Sequence, residues 1–505
     1  MGSNLLKFHL NIIPNFLLSL LLSPSYQNVS SQKLPPPENP TFAREQLLLN
    51  PFRTTLNQGL TCGQLIVSRG FKYERHFVTT EDGYILQLYR IINPYAQAAR
   101  GRNLKPILVL HGAPTSCSSF MINGPGGHIK EWINGNPPHD TSKSLAFALA
   151  NREFDVWLGN VRGNVYSLNH TRLDPDRDRE FWNFSFTEMG LYDIPAMVDY
   201  IIQETEKIVY IGYSQATIAM LTLLAKHPEF AIKLDLNINI APIAFYGNTN
   251  GLSAFVPRSI LLSRIGLLYS GPLIPFLPFV DAFTSILCTS NVLSSICLEI
   301  YNYLFGPDRE MVSRDQIKEL LSQLDQDSFK NALHAIQSFK YDQIREFDYG
   351  PKKNLELYGS TKPPKYPFEN VPTYNLVLIS GLNDYLAPPV NIQKLRNILQ
   401  GPALVDYVIT WPLWSHADIL LGDKAFYYLH SVIIEIIRKY GDNEMVLENA
   451  EAEWIAERDA EVKEWEKITK MCDFNPKPNQ KGAKDTSRIR SLLVHLKQNP
   501  PLESA

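Results

Sequence analysis

The chain has 505 residues, of which 45% are hydrophobic, and a formal net charge of -3. This length predicts one large domain with an insertion or two domains, and the near-neutral charge gives no electrostatic basis for binding nucleic acid. The five cysteines are too few for a disulfide scaffold and lack the paired Cys-x-x-Cys spacing of a metal site.

Residues 1–25 resemble a secretory signal peptide, with Lys7 ahead of a short apolar stretch. The alternative is a disordered N-terminus. Residues 26–44 contain several prolines and are predicted to be a linker. Since no later stretch reaches about 20 uninterrupted apolar residues, we expect no transmembrane anchor beyond the signal peptide. The chain is therefore expected to be secreted or lysosomal.

Three asparagines begin Asn-x-Ser/Thr sequons. Asn28 and Asn169 are predicted glycosylation sites. Asn183 lies in an aromatic run that we expect to be packed, so it is discounted.

The first half of the chain alternates predicted strands and helices. An Asp82-Gly83 turn between two β-rich runs indicates a hairpin. Residues 106–110 form a continuous apolar run, typical of a strand buried on both faces of a parallel sheet. The loop that follows begins with His111 and contains Ala113, whose N–H is a candidate oxyanion donor. Further elements are a helix at 145–150, a strand at 154–158 and an amphipathic helix at 191–204.

A β-branched run at 208–211 leads into Gly212-Tyr213-Ser214-Gln215-Ala216 and then into a helix-forming segment. Small residues two before and two after Ser214 allow strand and helix to pass closely, which pushes the serine hydroxyl outward. The helix N-terminus, starting with the N–H of Gln215, can stabilise an oxyanion. The alternative is an ordinary strand-to-helix turn with a serine N-cap.

From 241 to 370 the alternation stops, and this apolar, proline-interrupted insertion is predicted to be a cap over the active site. The alternative is a helical subdomain with its own small core. The sheet resumes at 373–380 and has its last strand at 404–409. A closing helix is predicted over 424–440.

A catalytic histidine is expected after the acid in this kind of sheet, and Asp384 follows the strand that ends at 380. Of the later histidines, His430 falls in the closing helix and His495 in the tail, which leaves His416. Ser214, Asp384 and His416 therefore form the candidate triad, with His416 as base and Asp384 as its orienting acid. Asp418 is a rival acid, although it is too close in sequence to His416. His111 precedes the nucleophile and is not expected to act as the base.

Several stretches resemble the acid lipases of the gastric and lysosomal type, which have the α/β-hydrolase fold. The matching stretches are 77–86 (FVTTEDGYIL), 111–112 (HG), 159–167 (GNVRGNVYS), 181–196 (FWNFSFTEMGLYDIPA), 212–217 (GYSQAT), Gly381 with Asp384, and 415–416 (SH). Together they cover about residues 45–440 in order. The resemblance implies a mostly parallel, doubly wound sheet with an inserted, mainly helical cap.

Carried over by position, the resemblance implies the same triad, an oxyanion hole from the N–H groups of Gln215 and Ala113, and no cofactor or metal. It also implies a disulfide between Cys288 and Cys297 in the cap. Cys62, Cys117 and Cys472 are then unassigned, and pairing of Cys62 with Cys117 or with Cys472 stays open.

The chain departs from the family at three points. Ala216 stands where the family usually has glycine, Pro114 follows the Ala113 donor, and Ser415 replaces the usual asparagine before the histidine. We expect Ala216 to be tolerated and make no prediction for Ser415.

The predicted organisation is a hydrolase core in two parts, 45–240 and 371–442, separated by the cap at 241–370. Residues 443–505 form an extension that the family lacks, predicted as an amphipathic helix followed by a disordered tail.

The expected function is hydrolysis of neutral lipid esters at a lipid–water interface, triacylglycerol first and cholesteryl ester second, through an acyl-enzyme intermediate. The rival hypothesis is a non-catalytic lipid carrier that retains the fold.

Overall fold

The computed structural model describes residues 57–441 except 58, 101–103, 125, 133–140, 205, 252–270 and 274–293. Predictions outside these ranges are the signal peptide, the linker, the C-terminal extension, Asn28, Cys288, Cys472 and His495.

The architecture is an eight-stranded sheet with the strand order β1-β2-β4-β3-β5-β6-β7-β8. Its strands are Lys72–Thr79 (β1), Ile85–Ile92 (β2), Lys105–Leu110 (β3), Phe154–Gly159 (β4), Ile208–Tyr213 (β5), Leu234–Ile240 (β6), Leu376–Ser380 (β7) and Val405–Val408 (β8). β1 and β2 form the antiparallel hairpin expected around Gly83, and β2 is antiparallel to β4. All other neighbours are parallel, which confirms the mostly parallel sheet.

Helices pack against this sheet and continue in the insertion. The described α-helices are Cys62–Ser68 (α1), Pro94–Arg100 (α2), Leu145–Ala150 (α3), Phe186–Glu188 (α4), Ile194–Ile201 (α5), Gln215–Lys226 (α6), Ser294–Phe305 (α7), Arg314–Leu321 (α8), Phe329–Tyr341 (α9), Pro351–Tyr358 (α10), Pro389–Ile398 (α11), Asp418–Leu421 (α12) and Ser431–Tyr440 (α13). The four helices α7–α10 lie between β6 and β7, so the described part of the insertion is mainly helical, as expected.

The central strands carry the core. Every residue of β5 and β7 is buried, and in β3 only Lys105 is partly exposed. A strand with helices on both faces has no polar side, which explains why these strands are continuous apolar runs rather than alternating ones.

The helix expected over 191–204 is not continuous. Residues Met189–Asp193 form a π-helical turn, α5 covers Ile194–Ile201, and a 3₁₀ turn follows. Pro195 has no N–H to donate to the preceding turn, so the regular α-helical hydrogen bonding is interrupted there. The closing helix likewise begins with a π-helical turn at Phe426–His430 before α13.

A buried cation stabilises the loop after β4. Arg162 is almost fully buried, and its Nε donates to Asp193 Oδ1 at 2.7 Å. Its Nη2 donates to Asp82 Oδ1 at 2.9 Å, which connects this loop to the β1–β2 turn. Burial alone would lower the pKa of Arg162, but the two carboxylates hold that pKa above its ordinary value.

Candidate active site

Ser214 lies in the turn between β5 and α6, where its backbone has φ 54° and ψ -114°. This region is strained for a residue with a side chain, and such strain is typical of a nucleophile at a strand-to-helix turn. The close passage requires glycine at 212, because a Cβ there would lie 2.7 Å from the ring of Tyr210. Ala216 is accommodated, and its carbonyl accepts a hydrogen bond from the Tyr210 hydroxyl at 2.9 Å.

The three residues of the candidate triad come together at the carboxyl ends of β5 and β7. His416 Nε2 lies 2.8 Å from Ser214 Oγ. His416 Nδ1 lies 2.9 Å from Asp384 Oδ2 and 3.0 Å from Oδ1. A carboxylate only accepts, so Nδ1 carries the proton and Nε2 is left to accept from the serine hydroxyl.

Backbone N–H groups orient the acid. Asp384 Oδ1 accepts from the N–H of Leu386 at 2.8 Å and of Ala387 at 2.7 Å. Asp384 and His416 are both 2% exposed, so these bonds are shielded from water. Asp384 therefore presents its carboxylate to His416 in a fixed orientation.

The last residue of α7 contacts both loops that carry the acid and the base. The carbonyl of Phe305 accepts from the N–H of His416 at 3.1 Å and from the N–H of Tyr385 at 3.3 Å. Tyr213, the residue before Ser214, donates from its hydroxyl to the carbonyl of His416 at 2.9 Å. The insertion thus helps to hold the histidine in reach of the serine.

The two candidate oxyanion donors lie beside the serine. Gly112 approaches Ser214 so closely that a Cβ at 112 would lie 3.0 Å from Ser214 Cβ. Within the described residues, the backbone N–H groups of Ala113 and Gln215 donate to no acceptor. Unpaired backbone donors are uncommon in folded proteins. Two of them beside a serine hydroxyl are suited to binding an oxyanion.

Known proteins match this chain over most of its length. A model of the partial α/β-hydrolase lipase region matches residues 62–124, and a model of the α/β-hydrolase fold matches 105–232. Lipase 3 of Drosophila melanogaster is 30% identical over 389 residues, which cover 75% of this chain and 93% of the relative. Human Lipase member J is 30% identical over 388 residues, covering 75% of this chain and 99% of the relative.

The chain belongs to the lipase family of α/β-hydrolases. The family resemblance, the fold class and the assignment as a carboxylic ester hydrolase are thereby confirmed. A separate model, that of clathrin light chain, matches residues 438–503 of this lipase, which include all but the last two residues of the C-terminal extension.

Among the described hydrogen bonds, the carboxyl group of the rival acid Asp418 makes none to His416. Its Oδ2 accepts from the N–H of Ser415 at 2.6 Å, and its Oδ1 accepts from the Ser415 hydroxyl at 2.7 Å. Burial and the neighbouring carboxyl of Asp308 raise the pKa of Asp418 well above its usual value. Ser415, for which no prediction was made, therefore holds the loop before the histidine.

Two other histidines of this lipase are buried and hydrogen-bonded to backbone carbonyls. His111 is buried, and its Nδ1 donates to the carbonyl of Gly112 at 2.9 Å. His430 is also buried, and its Nδ1 donates to the carbonyl of Ser142 at 3.2 Å. Burial lowers the pKa of each to about 4. Neither contacts Ser214, as expected.

The structure resolves one pairing that the sequence left open. Cys62 in α1 forms a disulfide with Cys117, which lies in the 3₁₀ turn after β3. Cys297 in α7 is also disulfide-bonded, while Cys288, its expected partner, lies outside the described residues. The Cys288–Cys297 pairing stays a prediction.

Two described sequons have exposed asparagines. Asn169 is exposed, as its predicted role requires. Asn183 was expected to be packed, and this expectation was wrong: it is exposed although Trp182 and Phe184 on either side are buried. Neighbouring side chains in a turn point in different directions, so an aromatic run does not bury every residue within it.

Among the described residues, no cluster of three or more histidine, cysteine or acidic side chains could hold a metal ion. Nor does any described helix combine the length and the apolar character needed to cross a bilayer.

The supporting roles of three residues, Phe305, Asn331 and Asp418, were not predicted from the sequence, where Asp418 was weighed only as a rival acid. Phe305 and Asn331 act over long separations, and no local pattern identifies them; Asn331 Nδ2 donates to Gln215 Oε1 at 2.6 Å. Asp418 did carry a local signal, because Ser-x-x-Asp spacing is typical of side chains that bond back to the preceding backbone.

Proposed function

We propose that this lipase uses Ser214 as nucleophile, His416 as general base and acid, and Asp384 as the group that orients the imidazole. The observation that carries the proposal is the series of two hydrogen bonds, 2.8 Å from Ser214 Oγ to His416 Nε2 and 2.9 Å from His416 Nδ1 to Asp384. Each group lies within the hydrogen-bonding distance that proton transfer requires.

In the first half of the reaction, Ser214 Oγ attacks the carbonyl carbon of the ester while His416 Nε2 takes the hydroxyl proton. The carbonyl oxygen becomes an oxyanion, which the N–H groups of Ala113 and Gln215 stabilise. The bond to the alcohol then breaks, and His416 donates its proton to the departing alkoxide. The product is an acyl-enzyme on Ser214.

In the second half, water enters and His416 removes one of its protons as the water oxygen attacks the acyl carbon. The second oxyanion is held by the same two N–H groups. When the bond to Ser214 Oγ breaks, His416 returns the proton to the serine and the carboxylic acid leaves. Asp384 stabilises the imidazolium in both halves and keeps its own charge.

The proposed substrates are neutral lipid esters, triacylglycerol first and cholesteryl ester second, taken from a lipid–water interface. The relatives are named lipases, which supports this class. Helix α7, which contacts the triad through Phe305, also carries exposed apolar side chains: Ile296 is 39% exposed and Tyr303 is 54% exposed. Such side chains suit contact with an apolar substrate.

Ester hydrolysis can be tested with triolein and cholesteryl oleate, each at acid and neutral pH. Ser214→Ala is expected to reduce the activity by a factor of at least about 10³, since the nucleophile is lost, while the circular dichroism spectrum stays unchanged. Unchanged turnover in this variant would refute the proposed nucleophile. The ratio of the two wild-type rates decides the substrate preference.

The carrier hypothesis predicts a different result with a fluorophosphonate probe. The hydrogen-bonded His416 favours the enzyme, because an activated serine reacts with this probe and an inactive one does not. Stoichiometric labelling of Ser214 is expected. Lack of labelling in folded wild-type protein would favour a carrier.

A secreted or lysosomal location is also proposed. The Cys62–Cys117 disulfide supports it, because such bonds persist in oxidising compartments. The exposed sequons at Asn169 and Asn183 are compatible with glycosylation on that route. The test is to secrete the protein from eukaryotic cells and digest it with a peptide N-glycosidase. We expect its mass to decrease, and the decrease to be smaller in Asn169→Gln and in Asn183→Gln. An unchanged mass would contradict glycosylation.

A further inference from the structure

A short segment of the insertion contacts both loops that carry the candidate oxyanion donors. The N–H of Asp325 donates to the carbonyl of Pro114 at 2.9 Å, directly after Ala113. At the other end of the segment, Asn331 Nδ2 donates to Gln215 Oε1 at 2.6 Å. Because Ala113 and Gln215 belong to different loops, their separation depends on what connects them. The segment 325–331 makes such a connection.

We propose that Asp327 and Asn331 are positioning residues that fix the oxyanion hole by holding the side chain of Gln215. The proposal rests on the function proposed above, because it assigns a task only if Ala113 and Gln215 bind an oxyanion.

The amide of Asn331 is held on both sides. Its Nδ2 donates to Asp327 Oδ2 at 2.7 Å as well as to Gln215, so both of its hydrogens are used. Its Oδ1 accepts from the N–H of Phe186 at 2.8 Å. Asp327 is fixed in turn, since its Oδ1 accepts from the N–H of Ser328 at 2.6 Å. The orientation of Asn331 is therefore determined by three separate contacts.

Gln215 connects these contacts to the candidate oxyanion hole. It is the first residue of α6, directly after Ser214. With Oε1 bonded to Asn331, its Nε2 lies 3.3 Å from the sulfur of Met189. A side chain held at both ends of its amide restricts the backbone from which it projects. The N–H of Gln215 is thus held in one direction beside the serine.

The other end of the segment is fixed by Asp325. Its Oδ1 accepts from the N–H of Val165 at 2.9 Å and from that of Gln326 at 2.6 Å. Val165 lies in the loop after β4, so the segment is bonded to three loops at the carboxyl edge of the sheet. This supports a rigid connection rather than a chance contact.

The carboxyl groups of the segment are costly to bury. Asp325 and Asp327 are 3% and 4% exposed, and within the described residues neither has a cationic partner. Asp325 faces the N–H groups already named, the Ser116 hydroxyl and the charge of Asp327, while Asp327 faces Asn331, Gln215 and the N–H of Ser328. Apolar side chains would fill this volume at lower cost. The presence of Asp325 and Asp327 in this buried position is explained if the polar contacts at Gln215 are needed for the reaction.

The test compares Asn331→Ala and the isosteric Asp327→Asn with wild type, using p-nitrophenyl butyrate. In Asp327→Asn, an NH₂ group replaces one of the two carboxylate oxygens, so either the bond accepted from Asn331 or the bond accepted from the N–H of Ser328 is lost without a change in volume. In both variants kcat is expected to fall about 10- to 100-fold with KM within about twofold, because a displaced oxyanion donor weakens mainly the transition state. The inhibition constant of a trifluoromethyl ketone, whose adduct with Ser214 carries an oxyanion, should rise by a similar factor.

Asn354→Ala is the matched control. Asn354 is fully buried in α10 of the same insertion, and its side-chain amide bonds, among the residues that the structure describes, only to Tyr349, Asp348 and Thr361. It should keep the wild-type kcat. An equal loss of kcat in this control would mean that the insertion acts only through its stability, which overturns the proposal.

Wild-type kcat in folded Asn331→Ala and Asp327→Asn would also overturn it. Should Asn331→Ala fail to fold, Asp327→Asn decides alone, because it keeps the shape of the site. Wild type and Ser214→Ala are assayed in parallel. If Ser214→Ala is as active as wild type, the proposed function fails and this proposal with it; if only the positioning variants behave as wild type, the proposed function stands.

Discussion

The imidazole of His416 lies parallel to the phenyl ring of Phe305, with 4° between the ring planes and 6.2 Å between the centroids. The ring belongs to the insertion and the imidazole to the core, so the proposed base is oriented from both parts of the chain. The backbone of Phe305 adds the two hydrogen bonds described above.

Phe305→Ala removes the ring but keeps the backbone carbonyl. We expect kcat on p-nitrophenyl butyrate to fall about 3- to 10-fold, because a less restricted imidazole spends less time aligned with Ser214. Phe305→Leu, which restores most of the volume, should recover part of the loss. An unchanged kcat in Phe305→Ala would show that the ring does not orient His416.

The disulfide Cys62–Cys117 closes a loop with a sequence separation of 55 residues. Replacing both cysteines by serine is expected to lower the free energy of unfolding by about 4 kcal/mol, the size expected from chain entropy for a loop of this length. Urea denaturation of the double variant and wild type measures this difference. A midpoint equal to that of wild type would contradict it.

Arg162→Met leaves Asp193 buried without its cation. We expect the free energy of unfolding to fall by about 3–5 kcal/mol, since removing one partner of a buried ion pair leaves the other charge buried and unpaired. Arg396→Met is the control, because Arg396 pairs with Asp406 at the surface, where such a pair contributes at most about 1 kcal/mol. Equal denaturation midpoints for the two variants would argue against a special role for Arg162.

Stability should depend on pH through Asp325 and Asp327. Burial raises the pKa of each to about 7. Because the folded protein then holds protons that the unfolded chain has released, this contribution to stability decreases as pH rises from about 4 to about 7. Comparing urea midpoints of wild type and Asp325→Asn at both pH values tests it: the variant should lose less stability over the range, and equal losses would contradict the shifted pKa.

The candidate site was largely predictable because its proposed reactive residues are marked by local features. Ser214 lies where strand residues change to helix residues between two small side chains, and this local chemistry defines the turn. Asp384 and His416 each follow a strand of the same parallel sheet, and the carboxyl ends of such strands meet at one edge. Chain order and strand prediction were therefore sufficient to select the three residues that the structure brings together.

The supporting contacts were not predictable, because they join residues that are remote in sequence. Asn331 and Gln215 are 116 positions apart, and Tyr213 and His416 are 203 apart. No periodicity within either segment indicates the partner. Cys62 and Cys117 show the same limit, since the spacing of cysteines does not determine their connectivity. The interrupted helix after Gly190 was missed for a different reason: side-chain periodicity does not register the N–H that Pro195 lacks.

The attachments of the insertion limit how a long acyl chain can enter. Phe305 is bonded to the loops of the acid and the base, and residues 325–331 are bonded to the neighbours of both oxyanion donors. A hinge motion that moved these two parts away together would break the hydrogen bonds that orient the candidate triad and the candidate oxyanion donors. Entry of a lipid ester that preserves the proposed site therefore requires these two attachments to stay in place.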